Sequence, residues 1–238
     1  MSGEVSGEGK EASCLRPLVV CGPSGVGKGT LVGRLLKNYP KTFGFCVSHT
    51  TRSARPGETN GVDYWYHKKE DMQRDIDDGK FVEYAQVHDN LYGTSLAATE
   101  RVAKEGKVCI LDIDVQGVRS VKGRGKDFIN PYYLFIAPPS LQALEERLRG
   151  RGTEAEEAVK VRLGNAREEV EYGQTPGNFD QVIVNDDIDK AHEDLMRALK
   201  RWYPQLQQEQ LWAGQLPSAL LLCLSFYFRA STECSLST

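Results

Sequence analysis

Leu18-Val-Val-Cys21-Gly22-Pro-Ser-Gly-Val-Gly27-Lys28-Gly29-Thr30 is the stretch whose reading decides the fold. A short apolar run leads into a glycine-rich loop that ends in a lysine, and an apolar-periodic segment follows. Gly22, Gly27 and Lys28 have the spacing of a phosphate-cradling loop. Glycines let the backbone turn so that successive N–H groups face one point and make an anion-binding concavity. A helix starting near Lys28 adds its positive dipole end, and the lysine adds a full charge. Leu18–Cys21 reads as a buried parallel strand, and Leu31, Leu35 and Leu36 give a helical stripe that stops before Pro40. The candidate triphosphate site is therefore Gly22, Pro23, Ser24, Gly25, Val26, Gly27, Lys28, Gly29 and Thr30. One position departs from the pattern. Gly29 stands where a Ser or Thr hydroxyl usually reaches a magnesium ion, so either Thr30 takes that role or the metal keeps more of its water.

The 238 residues allow one elaborated α/β domain. Apolar content of 40% and charged content of 26% are ordinary for a globular protein. A net charge of −3 gives no support to nucleic-acid binding. The six cysteines have no paired spacing, and Cys21 and Cys109 sit in apolar runs, which fits a reducing compartment. Residues 1–16 read as a disordered tail, not a signal peptide. Residues 210–228 carry no charge and reach spanning length only by counting Gln210, Gly214, Gln215 and Pro217. A weak membrane anchor there is the less favoured reading, and 205–238 is expected to be an appended tail.

Strand-like runs at Leu18–Cys21, Val108–Asp112, Tyr133–Ile136 and Val182–Val184 are separated by segments long enough for crossover helices. This predicts a parallel sheet between helices in three layers. Residues 48–92 are dense in Gly, Asp, Tyr and Trp and read as a small mixed β insertion. Residues 139–172 read as a charged helical lid, with a helix start at the capping box Thr153-x-x-Glu156. The core is then 17–47, 93–138 and 173–204, and the last helix carries Leu195, Met196, Leu199 and Trp202 on its apolar face and ends before Pro204.

Two further motifs carry chemistry. Val108-Cys-Ile-Leu-Asp112-Ile-Asp114 is an apolar strand ending in carboxylates at the edge of the sheet where ligands gather. Ser48-His-Thr-Thr-Arg52-Ser-Ala-Arg55-Pro-Gly-Glu58, followed by Tyr64, sets two arginines around a turn. Arginine forks match phosphate oxygens bidentately, and a tyrosine hydroxyl can donate to the same group. A second phosphate site beside the first implies an acceptor nucleotide.

Taken together, these motifs, with Asn90-Leu-Tyr-Gly-Thr94, Ile110-Leu-Asp-Ile-Asp-Val-Gln-Gly117 and Arg151-Gly-Thr-Glu-x-Glu-Glu157, resemble the guanylate kinases from about Arg16 to Trp202. The resemblance implies transfer of the γ-phosphoryl of ATP to GMP with Mg²⁺, in purine nucleotide metabolism. It implies a cytoplasmic monomer with no nucleic-acid partner. It also implies that Arg52, Arg55, Tyr64 and Tyr92 hold the GMP phosphate, with Glu58 in the same site. Ser48, Glu83 and Thr94 would read guanine. Asp112 and Asp114 would hold Arg52 or the metal's water, with Gln116 close by, and Thr30 and Asp112 are the metal candidates. Arg147, Arg151 and Arg162 would come from the lid as catalytic groups beside Lys28 and Arg52, and Asn185 would sit by the adenine. Three rivals remain: a protein-interaction module of the same shape, disfavoured by Lys28 and the lid arginines; a GTPase, disfavoured by the lack of Asn-Lys-x-Asp; and a kinase for another monophosphate, against which Glu83 argues.

Overall fold

The computed structural model describes residues 15–87, 89–150 and 156–206. The N-terminal tail to Cys14, Arg151, Thr153 of the capping box and the segment from 207 onward lie outside the described residues.

The central sheet has five strands, β1 (Leu18–Cys21), β2 (Phe43–Phe45), β7 (Val108–Asp112), β8 (Tyr132–Ala137) and β9 (Gln181–Val184), in the order β2-β7-β1-β8-β9. All four pairings are parallel. Parallel strands need crossovers, and helices covering both faces explain why these strands are nearly continuous apolar runs. Leu18, Val19, Cys21, Ile110, Leu111, Leu134, Phe135 and Ile136 are fully buried. The three-layer α/β expectation holds. β1, β7 and β9 lie on or within one residue of the predicted runs, whereas β2 gave no sequence signal because it is three residues long.

A second sheet is built from β3 (His49–Thr50), β4 (Trp65–Tyr66), β5 (Phe81–Val87) and β6 (Asn90–Ser95), in the order β4-β3-β6-β5. It is mixed: β3 pairs with β4 parallel and with β6 antiparallel, and β5 pairs with β6 antiparallel. Helix α2 (Lys69–Asp77) closes one side of it through Met72 and Ile76, which with Phe81 and Leu91 form a small core of their own. On the same side His49 Nδ1 lies 2.8 Å from His67 Nε2, and His49 Nε2 lies 2.9 Å from Ser95 Oγ. Burial, then the neighbouring His67, lowers the His49 pKa to about 4, so His49 is neutral near pH 7.

Helix α1 (Lys28–Asn38) follows β1, α3 (Leu96–Lys104) leads into β7, and α4 (Val115–Gly123) follows it. Ser95 caps α3 through Ala98 N, and Asp114 caps α4 through Gly117 N. Helices α5 (Leu141–Gly150) and α6 (Glu156–Gln174) follow β8. α7 (Ile188–Trp202) ends two residues before Pro204, as expected. The chain divides into two compact units, Met1–Asp194 and Leu195–Thr238. In the second, Leu195, Met196 and Leu199 are buried while Trp202 is only half-buried.

Gly173 lies in the last turn of α6. A Cβ there would come within 2.3 Å of the Phe135 ring, which is fully buried in β8 and packs on Phe179 at 5.0 Å between ring centroids. The contact lets α6 lie against the sheet. Overpacking of this kind costs about 1–3 kcal/mol, of which the better helix propensity of valine than glycine offsets only a few tenths. Gly173→Val is expected to lower the unfolding free energy measured by urea titration by that amount, through a lower midpoint at an unchanged m-value.

Candidate functional site

The loop after β1 fits its surroundings with no room for side chains. Gly22 has φ +149, and a Cβ there would meet the Ile136 carbonyl oxygen at 2.3 Å. Gly27 has φ +101, and its Cβ would meet Asn185 Nδ2 at 2.4 Å. Both positions therefore require glycine. Asn185, at the end of β9, is buried; its Nδ2 donates to the Val26 carbonyl at 2.7 Å and its N–H to Ala137 O at 2.8 Å. It braces the loop from outside. Lys28 opens α1 and folds back to donate to the Gly22 carbonyl at 2.6 Å, and it lies 3.8 Å from Asp112.

A cleft of about 380 Å³ opens at the carboxyl ends of β1 and β7, where ligands bind in open α/β sheets. Gly22, Ser24 and Lys28 line one wall, Asp112, Ile113 and Asp114 the floor, and Ser48, Tyr64, Glu83, Tyr92 and Gly93 the wall facing the loop. Glu169 of α6 completes the lining. The loop and the second sheet thus share one cleft, and nine residues predicted for the site meet there.

Glu83 is placed by an irregularity in β5. The register shifts between Phe81 and Glu83, so Phe81, Val82 and Glu83 are buried in succession and Glu83 falls opposite Thr94. The Thr94 hydroxyl and backbone bind the carboxyl, and Ser48 Oγ is 3.4 Å from Thr94 Oγ1. A methyl at Gly117 of α4 would stand 2.8 Å from Glu83 Oε2. Burial raises the Glu83 pKa to about 7, with Thr94 pulling it down and Asp114 adding to the rise. Burial likewise raises Asp112 and Glu169, and Lys28 offsets both. The cleft therefore concentrates four carboxyl groups around one lysine.

The arginines are held by the protein. Arg52 donates from Nη1 and Nη2 to the two Glu58 oxygens at 2.6 and 2.7 Å. Its carboxylate partner is Glu58; of the two roles that the resemblance implies for Asp112 and Asp114, holding Arg52 or the metal's water, the first is not seen. Asp112 pairs with Lys28, and Asp114 Oδ1 is occupied by Gly117 N. Glu58 itself is not a cleft-lining group. Arg55 is exposed, and only its backbone N–H joins the cluster, donating to Glu58 Oε2 at 2.8 Å. Arg147 donates to the Asn185 and Asp186 carbonyls at 2.8 and 3.1 Å. Arg162 reaches the loop directly, 2.6 Å from Ser24 Oγ. Thr30 and Gly29 are exposed and do not line the cleft, and Gln116 lies in a neighbouring groove with Arg119 and Asn165.

Glu169 and Tyr66 are the residues that sequence reasoning missed. Val159, Arg162, Ala166, Glu169 and Gly173 fall at spacings of three and four along α6, and Val159, Ala166 and Gly173 are buried. That stripe was a usable signal: charged residues that share a face with small buried ones point toward the protein. Tyr66, two residues after Tyr64 in a strand-like run, donates its hydroxyl to Glu58 Oε2 at 2.7 Å.

Residues 14–202 match a family model described as guanylate kinase. The chain is 50% identical over 195 residues to guanylate kinase 1 of Oryza sativa subsp. japonica, covering 82% of this chain and 49% of that protein. It is 50% identical over 184 residues to the guanylate kinase of Homo sapiens, covering 77% and 92%. The chain thus spans about half the length of the rice relative and most of the human one. A crystal structure of guanylate kinase from Anaplasma phagocytophilum superposes with a TM-score of 0.60 at 31% identity, over 79% of this chain and 86% of that one.

The site carries a stability cost with a defined pH window. The Glu83 carboxyl is near 4.5 when unfolded and about 7 when folded, so the folded state holds the extra proton between those values. Stability is highest below pH 4.5 on this account and falls as pH rises through 7, by about 3 kcal/mol in total. Glu83→Gln removes the penalty. In urea titrations the variant is expected to be about 3 kcal/mol more stable than the parent at pH 8 and nearly equal to it at about pH 4.

Proposed function

The chain belongs to the guanylate kinase family, and on that footing we propose that it transfers the γ-phosphoryl of ATP to GMP, giving ADP and GDP. The observation that carries the reading is the pairing, in one cleft, of a phosphate loop bearing Lys28 with a wall that presents a buried carboxyl, Glu83, beside Ser48 and Thr94. Guanine offers N1–H and an exocyclic amine side by side, and one carboxylate accepts from both. Adenine would leave the buried carboxylate unpaired, which discriminates strongly. Tyr64 and Tyr92, at 6.0 Å between ring centroids, stand next to Arg52 and form the wall proposed for the acceptor phosphate.

The chemistry asked of the chain is positioning and charge compensation. The acceptor phosphate is itself the nucleophile, so no covalent intermediate or dedicated base is needed. The backbone N–H groups of Gly22–Lys28 and the start of α1 would cradle the donor phosphates. Lys28, released from the Gly22 carbonyl, would meet the transferring group. Arg162, already on the loop, is the lid arginine best placed to join it. Arg147 would have to leave the Asn185 and Asp186 carbonyls to take the catalytic role the resemblance implies, and Arg151 would act alongside. Asn185 fits better as the brace of the loop than as an adenine reader.

Mg²⁺ fits this donor set. Asp112 is a hard oxygen ligand beside the phosphate loop, suited to hold the ion through water, while no group of three His, Cys, Asp or Glu among the described residues forms a cage by itself. That composition matches an ion bound chiefly by substrate phosphates. When bound, the ion would supply neutralising charge at the phosphates. The exposure of Thr30 removes it as a good candidate ligand. A reducing compartment such as the cytoplasm suits the free buried thiols Cys21, Cys46 and Cys109. No helix among the described residues is long and apolar enough to cross a membrane, and a monomer is the proposed state.

A coupled assay of ADP release from Mg-ATP with GMP, AMP, CMP and UMP in parallel tests the reading. Turnover with GMP alone is expected; equal turnover with another monophosphate would sink it. Lys28→Ala is expected to lower kcat by on the order of 10³-fold or more, because its charge acts on the transferring group. Near-normal turnover in this variant would overturn the phosphate-loop assignment.

The variant Glu83→Gln can accept only one of the two guanine donors. It should lose selection of GMP over AMP by about 1.5–3 kcal/mol, roughly 10- to 150-fold in kcat/KM. Unchanged discrimination would shift the reading of guanine to Ser48 and Thr94.

A further inference from the structure

The loop between β3 and β4 folds back on itself through one turn. Arg55-Pro56-Gly57-Glu58 closes with Glu58 N donating to Arg55 O at 3.0 Å, and Gly57 has φ +89. Proline second and a positive-φ glycine third are what a type II turn requires. The turn returns Glu58 to Arg52, six residues earlier. There its Oε2 accepts three hydrogen bonds, from Arg52 Nη1, Arg55 N and the Tyr66 hydroxyl, and its Oε1 accepts one from Arg52 Nη2. With these donors around it, Glu58 is held far below the usual carboxylate range, chiefly by Arg52, then by the Arg55 N–H and Tyr66. It stays an anion at every working pH. An anion saturated in this way has neither the capacity nor the sign to bind a phosphate.

The accounting of Arg52 completes the argument. A guanidinium has five N–H bonds in a rigid plane. Nη1 spends one on Glu58 and one on the Ser53 carbonyl at 2.9 Å, and Nη2 spends one on Glu58. Among the described residues the Nε–H and the second Nη2–H donate to nothing. These two point the same way along one edge of the plane, and together they make the fork that grips two oxygens of one phosphate. The Tyr64 and Tyr66 rings flank the plane, with the guanidinium carbon 5.0 and 5.8 Å from their centroids. The protein thus fixes the far edge of the guanidinium and leaves the near one.

We propose that Glu58 and Tyr66 are positioning residues that orient Arg52 so that its Nε/Nη2 edge is presented, already formed, to the acceptor phosphate. Tyr66 acts through Glu58, and Glu58 through Arg52; neither touches the substrate. The proposal rests on the reading of Arg52 as a ligand of the GMP phosphate. Its consequence is entropic. A free arginine side chain samples many rotamers, and an Arg52 held before binding loses less of that freedom when the phosphate arrives. A lysine at this place would keep the charge and lose the fork.

A double-mutant cycle tests this, with steady-state kinetics in both substrates and calorimetric titration of GMP, on the parent, Tyr66→Phe, Arg52→Ala and the double variant. Tyr66→Phe is expected to raise both KM and Kd for GMP about three- to tenfold, as for one lost hydrogen bond. The KM for ATP and the urea midpoint should stay unchanged. In the Arg52→Ala background the same change should have no further effect, since the group it orients is gone. Glu58→Gln should act in the same direction and more strongly, because an amide accepts one N–H and opposes the other. An equal effect of Tyr66→Phe in both backgrounds would overturn the proposal and make Tyr66 an independent contact. An unchanged Kd in Tyr66→Phe would overturn it too. In either case the GMP turnover of the parent leaves the functional reading standing, whereas a parent that neither binds nor turns over GMP removes both.

Discussion

The rest of the site depends on how closely the backbone of the phosphate loop approaches the ends of β8 and β9. A single methyl group at Gly22 or Gly27 would overlap the Ile136 carbonyl or the Asn185 amide. Because nothing intervenes, the loop takes its shape from the sheet itself, and the sheet is rigid because its strands are buried on both faces. Lys28 follows from that shape. Its ammonium bridges from the Gly22 carbonyl toward Asp112, so the loop, α1 and β7 are joined by one cation. Asn185 closes the arrangement from β9 and, through its carbonyl, also receives Arg147. Helix α5 is therefore tied to the same residue that braces the loop after β1.

Charge in the cleft is arranged ahead of the substrates and is unbalanced without them. Glu83, Asp112, Asp114 and Glu169 line it, and Lys28 is the one basic residue among the lining groups. Desolvation raises Glu83, Asp112 and Glu169 toward their neutral forms. The arginines sit on other partners nearby: Arg52 on Glu58, Arg147 on two carbonyls, Arg162 on Ser24. The partners of Arg147 and Arg162 are ones that a phosphate can outcompete, because a carbonyl or hydroxyl offers less to a guanidinium than an oxyanion does, whereas Arg52 keeps the Glu58 carboxylate and has its Nε/Nη2 edge left over. Phosphates entering the cleft would draw cations inward, and the same movement would expel water. In the proposed reaction, closure and charge compensation would then be a single event.

Much of this was legible in the sequence because it rests on local rules. β1 and β7 were readable residue for residue, since uninterrupted apolar runs that end in Gly or Asp have few alternatives. The mixed second sheet was readable from composition, though its pairing order was not. What escaped depends on tertiary partners. Three-residue β2 has no period to detect. The resemblance implied that Asp112 and Asp114 hold Arg52 or the metal's water, whereas a four-residue type II turn brings Glu58, six residues after Arg52, to the guanidinium. Thr30 looked like a hydroxyl ligand by position, yet helix geometry turns it outward into solvent. Glu169 was hidden in a run of charges, where only its spacing from Ala166 and Gly173 separated it from a solvated face.

Gly29 shows how such a departure is tolerated. The cradle is made from backbone N–H groups and the dipole of α1, neither of which needs a side chain at position 29. In the proposed reaction a hydroxyl there would add one ligand to an ion that would bind largely through its own water and through the phosphates. Asp112, fixed by β7 and paired with Lys28, offers a carboxylate at the place where such water would be held. Its raised pKa records the same burial that makes it useful: the carboxylate is poorly solvated, so a hydrated cation gains more beside it than beside a carboxylate in open water. Glu83 follows the same logic on the facing wall, where the cost of burying an acceptor is recovered only by a ligand that brings two donors to it.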